Sequence, residues 1–145
     1  MTATSSAARS FSRSFDSLAE IFAFTSEFFG QHGIDRDLLP TVDLVLEELF
    51  TNMVKYAPEG APSIRLEMAR APDGVEVSLT DYDVDLFDVT EAPDADINLP
   101  IEARKPGKLG LHLVRRLVDS LQYEYSTERR ESRTTFRKTG ARRTA

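Results

Sequence analysis

Alternation of apolar and polar side chains marks five segments of this 145-residue chain as strands. Successive side chains of a strand point to opposite faces, so alternation is typical of a strand with one buried face. The first segment places Phe11, Arg13 and Phe15 on one side and serines on the other. A turn at Pro72 to Gly74 joins two segments into a hairpin, because proline fixes φ and glycine permits positive φ. The predicted strands are Ser10 to Phe15, Ser63 to Ala69, Val75 to Thr80, Gln122 to Thr127 and Arg133 to Lys138.

Helical spacing of apolar residues predicts three helices. Ser17 and Glu20 have the spacing of a capping box at the start of the first helix. Asp37 is the predicted N-cap of the second helix, and Pro40 is compatible with its first turn. The predicted helices are Leu18 to the stop at Gly30 and Gly33, Leu38 or Leu39 to Ala57, and Leu109 to Leu121.

Strands in adjacent pairs, with helices between the pairs, are typical of an α+β fold. We predict a two-layer α/β sandwich in which a mixed or antiparallel sheet is covered on one face by three helices. The segment from Tyr82 to Lys108 has little periodicity and is predicted to be a long loop, which in a small domain is usually functional or disordered. We expect a flexible arm at residues 1–9, one domain at residues 10–138 and a basic tail at residues 139–145.

Composition and charge exclude several classes of protein. The chain has no cysteine and two histidines, which argues against a disulfide framework and a thiolate zinc site. No apolar run approaches the length of a membrane span, so we expect a cytoplasmic protein with no membrane partner. The formal charge is −6, with a run of acids from Asp81 to Asp96 and a run of bases from Arg129 to Arg143. An overall acidic chain without an aromatic and basic stripe disfavours nucleic-acid binding, although the basic run keeps that alternative open.

Polar side chains form a stripe along one border of the apolar face of the second helix. Glu48, Asn52 and Lys55 are spaced by four and three residues and so lie on one side of the helix. Such a stripe is usually a solvated rim. Asparagine is a mediocre helix former, however, and its position between a carboxylate and an ammonium favours a ligand. These three groups could orient a nucleophile, coordinate Mg²⁺ and neutralise phosphate.

Three segments resemble, in order, the sequence boxes of the GHKL ATP-binding superfamily. Glu48 to Ala57 is similar to the N box, Asp81 to Asp88 to the G1 box, and Pro106 to Asp119 to the G2 box with its following helix. The small size and the short hairpin between the first two boxes resemble the stand-alone anti-sigma factor type of serine/threonine protein kinase. The resemblance covers about residues 10 to 138.

The resemblance implies ATP and Mg²⁺ as cofactors and assigns roles to particular residues. Glu48 matches the catalytic acidic residue, Asn52 the Mg²⁺ ligand, and Asp81 the acceptor of a hydrogen bond from the adenine amino group. Either Thr134 or Thr135 matches a threonine beside the adenine. The other nucleotide-binding positions that it implies are Lys55, Asp83, Gly107, Lys108, Leu109, Gly110 and Leu111.

The resemblance also implies a function and partners. It implies a kinase that phosphorylates Ser or Thr of a small antagonist protein and sequesters a sigma factor, with a homodimer as the expected assembly. The chain departs from the family pattern where Asp83 and Lys108 replace glycines and Asp85 replaces a small residue. These departures keep open an alternative, a protein-interaction module of the same fold that does not bind nucleotide.

Overall fold

The computed structural model describes residues 6–86 and 108–140. In this part of the chain five strands form one antiparallel sheet with the order β1-β2-β3-β5-β4. The fold is therefore the predicted α+β sandwich, with the antiparallel alternative confirmed. The elements are β1 (Ser6–Ser12), α1 (Leu18–His32), α2 (Leu39–Tyr56), β2 (Ser63–Ala71), β3 (Gly74–Tyr82), α3 (Lys108–Leu117), β4 (Ser120–Ser126) and β5 (Glu131–Thr139).

The hydrophobic core lies between one face of the sheet and the helices. Alternate residues of β2 and β3 are buried, as the alternation predicts. On α2 the buried residues recur at three- and four-residue spacing, which turns one side of the helix toward the sheet. The core side chains from these elements are Ile64, Leu66, Met68, Val75, Val77, Leu79, Val42, Val45, Leu46, Leu49 and Phe50.

The opposite face of the sheet is polar and carries part of the basic run. Arg133 pairs with Glu67 at 3.5 Å, and Arg137 pairs with Glu76 at 2.9 Å. These exposed ion pairs contribute little to stability. They do, however, match two of the bases with carboxylates on the same face, so these arginines do not form an unbroken cationic surface for nucleic acid.

Several predicted element ends are wrong. Strand β1 begins at Ser6 and ends at Ser12, so Phe15 lies outside it in a short 3₁₀ helix. Helix α3 ends at Leu117 instead of Leu121, because Ser120 and Leu121 already pair with β5. Of the predicted loop between β3 and α3, residues 87–107 lie outside the described residues.

Two predicted caps are also wrong, for identifiable reasons. Ser17 precedes α1, but its hydroxyl donates to the carbonyl of Ser12 at 2.7 Å instead of capping the helix. Asp37 lies within a 3₁₀ turn before α2, and Asp35 is the residue whose carboxylate accepts from a backbone N–H there, at 2.9 Å. The predicted stop of α1 is confirmed at Gly33, which has φ of 63° at the C-terminus of the helix, but it is wrong at Gly30, which lies within the helix.

The β2–β3 hairpin is confirmed, but its turn works differently from the prediction. Asp73, with φ of 60°, adopts the left-handed conformation that was expected of Gly74. Gly74 is needed for another reason, since a side chain there would overlap the backbone carbonyl of Lys138 on β5. The glycine therefore allows two strands to approach closely.

No helix in the described ranges is both long and apolar enough to cross a membrane.

Candidate functional site

A cavity of about 150 Å³ lies between α2 and β3, β4 and β5. A cavity of about this volume admits a benzene-sized ring. Its walls combine apolar side chains with a few polar groups, which is the usual composition of a small-molecule site. The lining residues are Leu49, Asn52, Met53, Tyr56, Ala57, Glu59, Asp81, Val84, Asp85, Leu86, Tyr123, Ser132 and Thr134.

Two buried polar atoms in these walls have no hydrogen-bond partner among the described residues. They are Nδ2 of Asn52 on α2 and Oγ1 of Thr134 on β5. Leaving such a group unpaired costs about 1–3 kcal/mol. Both belong to one cavity, so a polar ligand in the cavity would satisfy them together.

Asp81 is a buried carboxylate at the end of β3, with 3% of its side chain exposed. Its partner is the guanidinium of Arg13, which follows β1 and is 6% exposed. Nη2 of Arg13 donates to Oδ1 of Asp81, and Nη1 donates to Oδ2 at 3.4 Å. Burial raises the pKa of Asp81, and the bonds from Arg13 oppose that shift. The pair stabilises the ionised form of a carboxylate that lines the cavity.

The remaining donors of Arg13 hold the connection between α2 and β2. Nε donates to the carbonyl of Ala61 at 2.8 Å, and Nη1 donates to the carbonyl of Met53 at 3.2 Å. Gly60 lies against the guanidinium, and a side chain at Gly60 would collide with it. Breaking a buried pair of this kind by removing one partner costs about 3–5 kcal/mol.

Glu48 lies one turn before Asn52 on α2 and faces the first turn of α3. A side chain at Gly110 would overlap the Glu48 carboxylate, so the glycine provides the space that the carboxylate occupies. Burial raises the pKa of Glu48, while the charge of Lys55 and the neighbouring amide of Asn52 lower it. That amide lies close to Glu48, yet its Nδ2 forms no hydrogen bond of ordinary geometry. A half-buried carboxylate with a raised pKa is a stronger base than an exposed carboxylate, which suits it to accept a proton.

The segment after β3 is fixed by hydrogen bonds to β4 and to the turn between β4 and β5. The hydroxyl of Tyr125 donates to the carbonyl of Val84 at 2.7 Å, and the N–H of Val84 donates to the carbonyl of Arg130 at 2.9 Å. Asp83 precedes Val84 with φ of 57°. The backbone therefore adopts the left-handed conformation that favours glycine, although an aspartate stands there.

Of the predicted site residues, Asn52, Asp81 and Thr134 line the cavity together. Thr134 is thus the threonine of the cavity, and the hydroxyl of Thr135 pairs with Ser78 at 2.9 Å on the other face of the sheet. This placement makes Thr135 wrong as a cavity residue, since neighbouring strand residues point to opposite faces.

The other predicted residues have different positions. Lys55 is exposed in the last turn of α2, and Asp83 is exposed beside the cavity. Leu111 is fully buried, and its side chain belongs to the core. The backbone of Lys108 and Leu109 forms the start of α3, whereas Gly107 lies outside the described residues.

No group of three or more His, Cys, Asp or Glu side chains in residues 6–86 and 108–140 could hold a metal ion. A Mg²⁺ ion here would need Asn52 together with oxygens of a bound ligand. Mg²⁺ commonly binds in this way, with few protein ligands plus substrate phosphates.

Arg13 is the residue of the site that sequence reasoning missed. The alternation in β1 already placed Arg13 on the same side as the buried Phe11. An arginine on the core side of a strand requires a buried carboxylate or carbonyls as partners. That signal was present in the sequence, but it did not identify Asp81, which is 68 residues away along the chain.

Comparisons with known proteins identify the fold and the family of this chain. A chain of the crystal structure of the SiaB–SiaC complex from Pseudomonas aeruginosa has the same fold, with a TM-score of 0.57 and 14% sequence identity. The match covers 91% of this chain and 88% of that one. No curated protein matches at the level of sequence. The family model of the histidine kinase-like ATPase domain matches residues 11–138, so this chain belongs to the histidine kinase-like ATPase domain family.

Proposed function

We propose that this protein is an ATP·Mg²⁺-binding regulatory factor that phosphorylates Ser or Thr of a small antagonist protein and sequesters a sigma factor by binding it. The observation that carries the proposal is the cavity whose walls contain buried Asp81 and the unpaired polar atoms of Asn52 and Thr134. In a family of ATPase domains, Asp81 and Thr134 fit the base of a nucleotide, and Asn52 fits its metal-bearing phosphate end.

Each polar group of the cavity has a distinct role in this proposal. The carboxylate of Asp81 accepts a hydrogen bond from the amino group of adenine. The hydroxyl of Thr134 satisfies its missing hydrogen bond on the same ligand. The amide of Asn52 orients the nucleotide and provides an oxygen ligand for the metal, since the amide can rotate to present either atom. Mg²⁺, when bound, supplies positive charge that offsets the charge of the phosphates.

Glu48 is the proposed general base. Phosphoryl transfer depends mainly on positioning and charge neutralisation, with one residue that orients or deprotonates the attacking hydroxyl. Glu48 lies on the same side of α2 as Asn52 and faces the first turn of α3. In its ionised form it can take the proton of an attacking Ser or Thr hydroxyl.

Two observations support the proposed partners, namely the shared fold and the resemblance of the three sequence boxes. The fold is shared with a chain from the structure of a complex of two proteins, SiaB and SiaC, which is consistent with a fold that binds a small protein. The sigma factor and the Ser or Thr specificity come from the resemblance of the three boxes. Homodimerisation stays a prediction.

The kinase activity is tested by incubating the protein with ATP, Mg²⁺ and the small antagonist-type protein encoded nearest to its gene, followed by mass spectrometry of the acceptor. We expect a phosphate on Ser or Thr. Glu48→Gln should lower the rate at least about 100-fold, which is the typical contribution of a general base. The matched control is Glu47→Gln, because Glu47 is the exposed neighbour on the same helix. Wild-type rates in Glu48→Gln would contradict the assigned role.

The alternative function is a protein-interaction module that does not bind nucleotide. Asp83 favours it, because an aspartate stands at a left-handed position beside the cavity and adds negative charge there. This alternative predicts partner binding without any saturable binding of ATP at millimolar concentration.

A further inference from the structure

Arg13 and Asp81 form a buried pair whose two members have different relations to the cavity. Asp81 lines the cavity, whereas Arg13 is not among its lining residues. The guanidinium approaches the carboxylate from the side of the Gly60 to Ala61 connection, where it also binds the carbonyls of Met53 and Ala61. Arg13 is thus held by four hydrogen bonds behind the carboxylate, and Asp81 stands between it and the ligand space.

The hydrogen bonds from Arg13 use part of the acceptor capacity of Asp81. An ionised carboxylate offers about four acceptor positions. Arg13 takes one on each oxygen. Acceptor capacity therefore remains on a group that forms part of the cavity wall. A fixed carboxylate with a free acceptor position in the wall selects a ligand that has a hydrogen-bond donor at that point.

We propose that Arg13 is a positioning residue for base recognition, which fixes the Asp81 carboxylate so that its remaining acceptor position distinguishes bases with an amino group from bases without one. This inference rests on the proposed function, because it takes the ligand of the cavity to be a nucleotide. Arg13 acts through Asp81 and does not itself contact the base.

A purely stabilising role for Arg13 makes a different prediction. If the pair only held β1 to β3, its loss would weaken every ligand of the cavity to the same extent. Positioning instead affects only ligands whose base donates to Asp81. The ratio of the two dissociation constants, one for a base that donates to Asp81 and one for a base that does not, therefore separates the two roles. An inactive fraction of the sample affects both constants equally and leaves their ratio unchanged.

The test compares the dissociation constants of ATP and of purine riboside triphosphate, which lacks the 6-amino group, in the presence of Mg²⁺. The wild-type protein should prefer ATP by roughly 10- to 100-fold, the range expected for one hydrogen bond to a charged group. Arg13→Gln should lose most of this preference, mainly by weakening ATP. The matched control is Arg9→Gln, because Arg9 lies in β1, the strand that Arg13 follows, and forms an exposed ion pair with Glu20 at 2.8 Å.

Arg13→Lys keeps the test decisive if Arg13→Gln does not fold. Lysine preserves the charge but cannot form the bidentate hydrogen bonds that arginine forms with a carboxylate. The preference for ATP over purine riboside triphosphate should therefore fall at least about threefold. An equal weakening of both nucleotides in the Arg13 variants, or an unchanged preference, would overturn the inference. Equal affinities in the wild-type protein would overturn it together with the role proposed for Asp81, but would leave ATP·Mg²⁺ binding and phosphoryl transfer intact. Failure of the wild-type protein to bind either nucleotide would overturn the proposed function itself.

Discussion

Two groups of residues at and beside the cavity, which we call the Arg13 end and the Glu48 end, differ in how completely their polar groups are satisfied. At the Arg13 end, which comprises Arg13, Asp81 and Val84, the carboxylate and the main chain are bonded to the surrounding elements. At the Glu48 end, which comprises Glu48, Asn52 and Gly110, Nδ2 of Asn52 is buried without a partner.

In the proposed function, this difference assigns recognition of the nucleotide to the Arg13 end and phosphoryl transfer to the Glu48 end. A carboxylate held by a buried arginine does not need the ligand in order to be oriented, so the Arg13 end is organised in advance. The unpaired amide of Asn52 costs free energy until a ligand binds it. The Glu48 end therefore acquires its full set of interactions only with a ligand, and small displacements there should affect the reaction more than the stability of the fold.

A large loss of activity is expected from a change at Gly110, at the Glu48 end. Gly110→Ala introduces a methyl group where the Glu48 carboxylate now lies. The carboxylate is at the end of a flexible side chain, so it should rotate away at little cost in stability. Alanine also favours the helix by up to about 1 kcal/mol. We expect phosphoryl transfer to the acceptor to fall at least about tenfold, because misplacement by about 1 Å can cost up to 100-fold.

The matched control is Gly30→Ala on α1. A methyl group there meets only Nη1 of Arg36, at 3.9 Å. Thermal unfolding should show both variants as stable as the wild type or more so, with the loss of activity confined to Gly110→Ala. Normal activity in Gly110→Ala would show that the position of Glu48 is not critical.

A smaller effect is expected at Asp83, beside the Arg13 end. Asp83 has φ of 57°, a left-handed conformation that glycine adopts without strain. Asp83→Gly therefore removes this backbone strain together with a negative charge near the cavity. We expect a gain in stability of roughly 0.5–1 kcal/mol and an increase in ATP affinity of a few fold, measured by chemical unfolding and calorimetry. Asp73→Gly in the β2–β3 turn, with φ of 60°, is the comparison, and should change stability alone. An unchanged ATP affinity in Asp83→Gly would mean that its charge does not act on the site.

Sequence reasoning predicted the elements of the fold well because each depends on local patterns. The alternation in β2 and β3 and the spacing of apolar residues in α2 follow directly from strand and helix geometry. The errors lie where a tertiary contact outweighs a local preference. Ser17 bonds back to β1 instead of capping α1, and residues predicted to end α3 pair with β5.

The candidate site was predicted in part for the same reason. Asn52 and Asp81 were identified from the sequence boxes, and the structure places both in one cavity. The choice between Thr134 and Thr135 needed the register of β5 against β3, which only the sheet provides. The contact of Arg13 with Asp81 joins the residue after edge strand β1 to the end of the central strand β3, and no local pattern connects the two.

The most direct test of the account is calorimetric titration of the protein with ATP in the presence and absence of Mg²⁺. The account predicts saturable binding that Mg²⁺ strengthens, and a loss of at least about tenfold in Asn52→Ala. The matched control is Thr51→Ala, because the Thr51 hydroxyl bonds only to its own helix, at the carbonyls of Glu47 and Glu48. Absence of binding at millimolar ATP, or equal affinity in the wild type and Asn52→Ala, would contradict the claim that this cavity binds ATP·Mg²⁺ through Asn52.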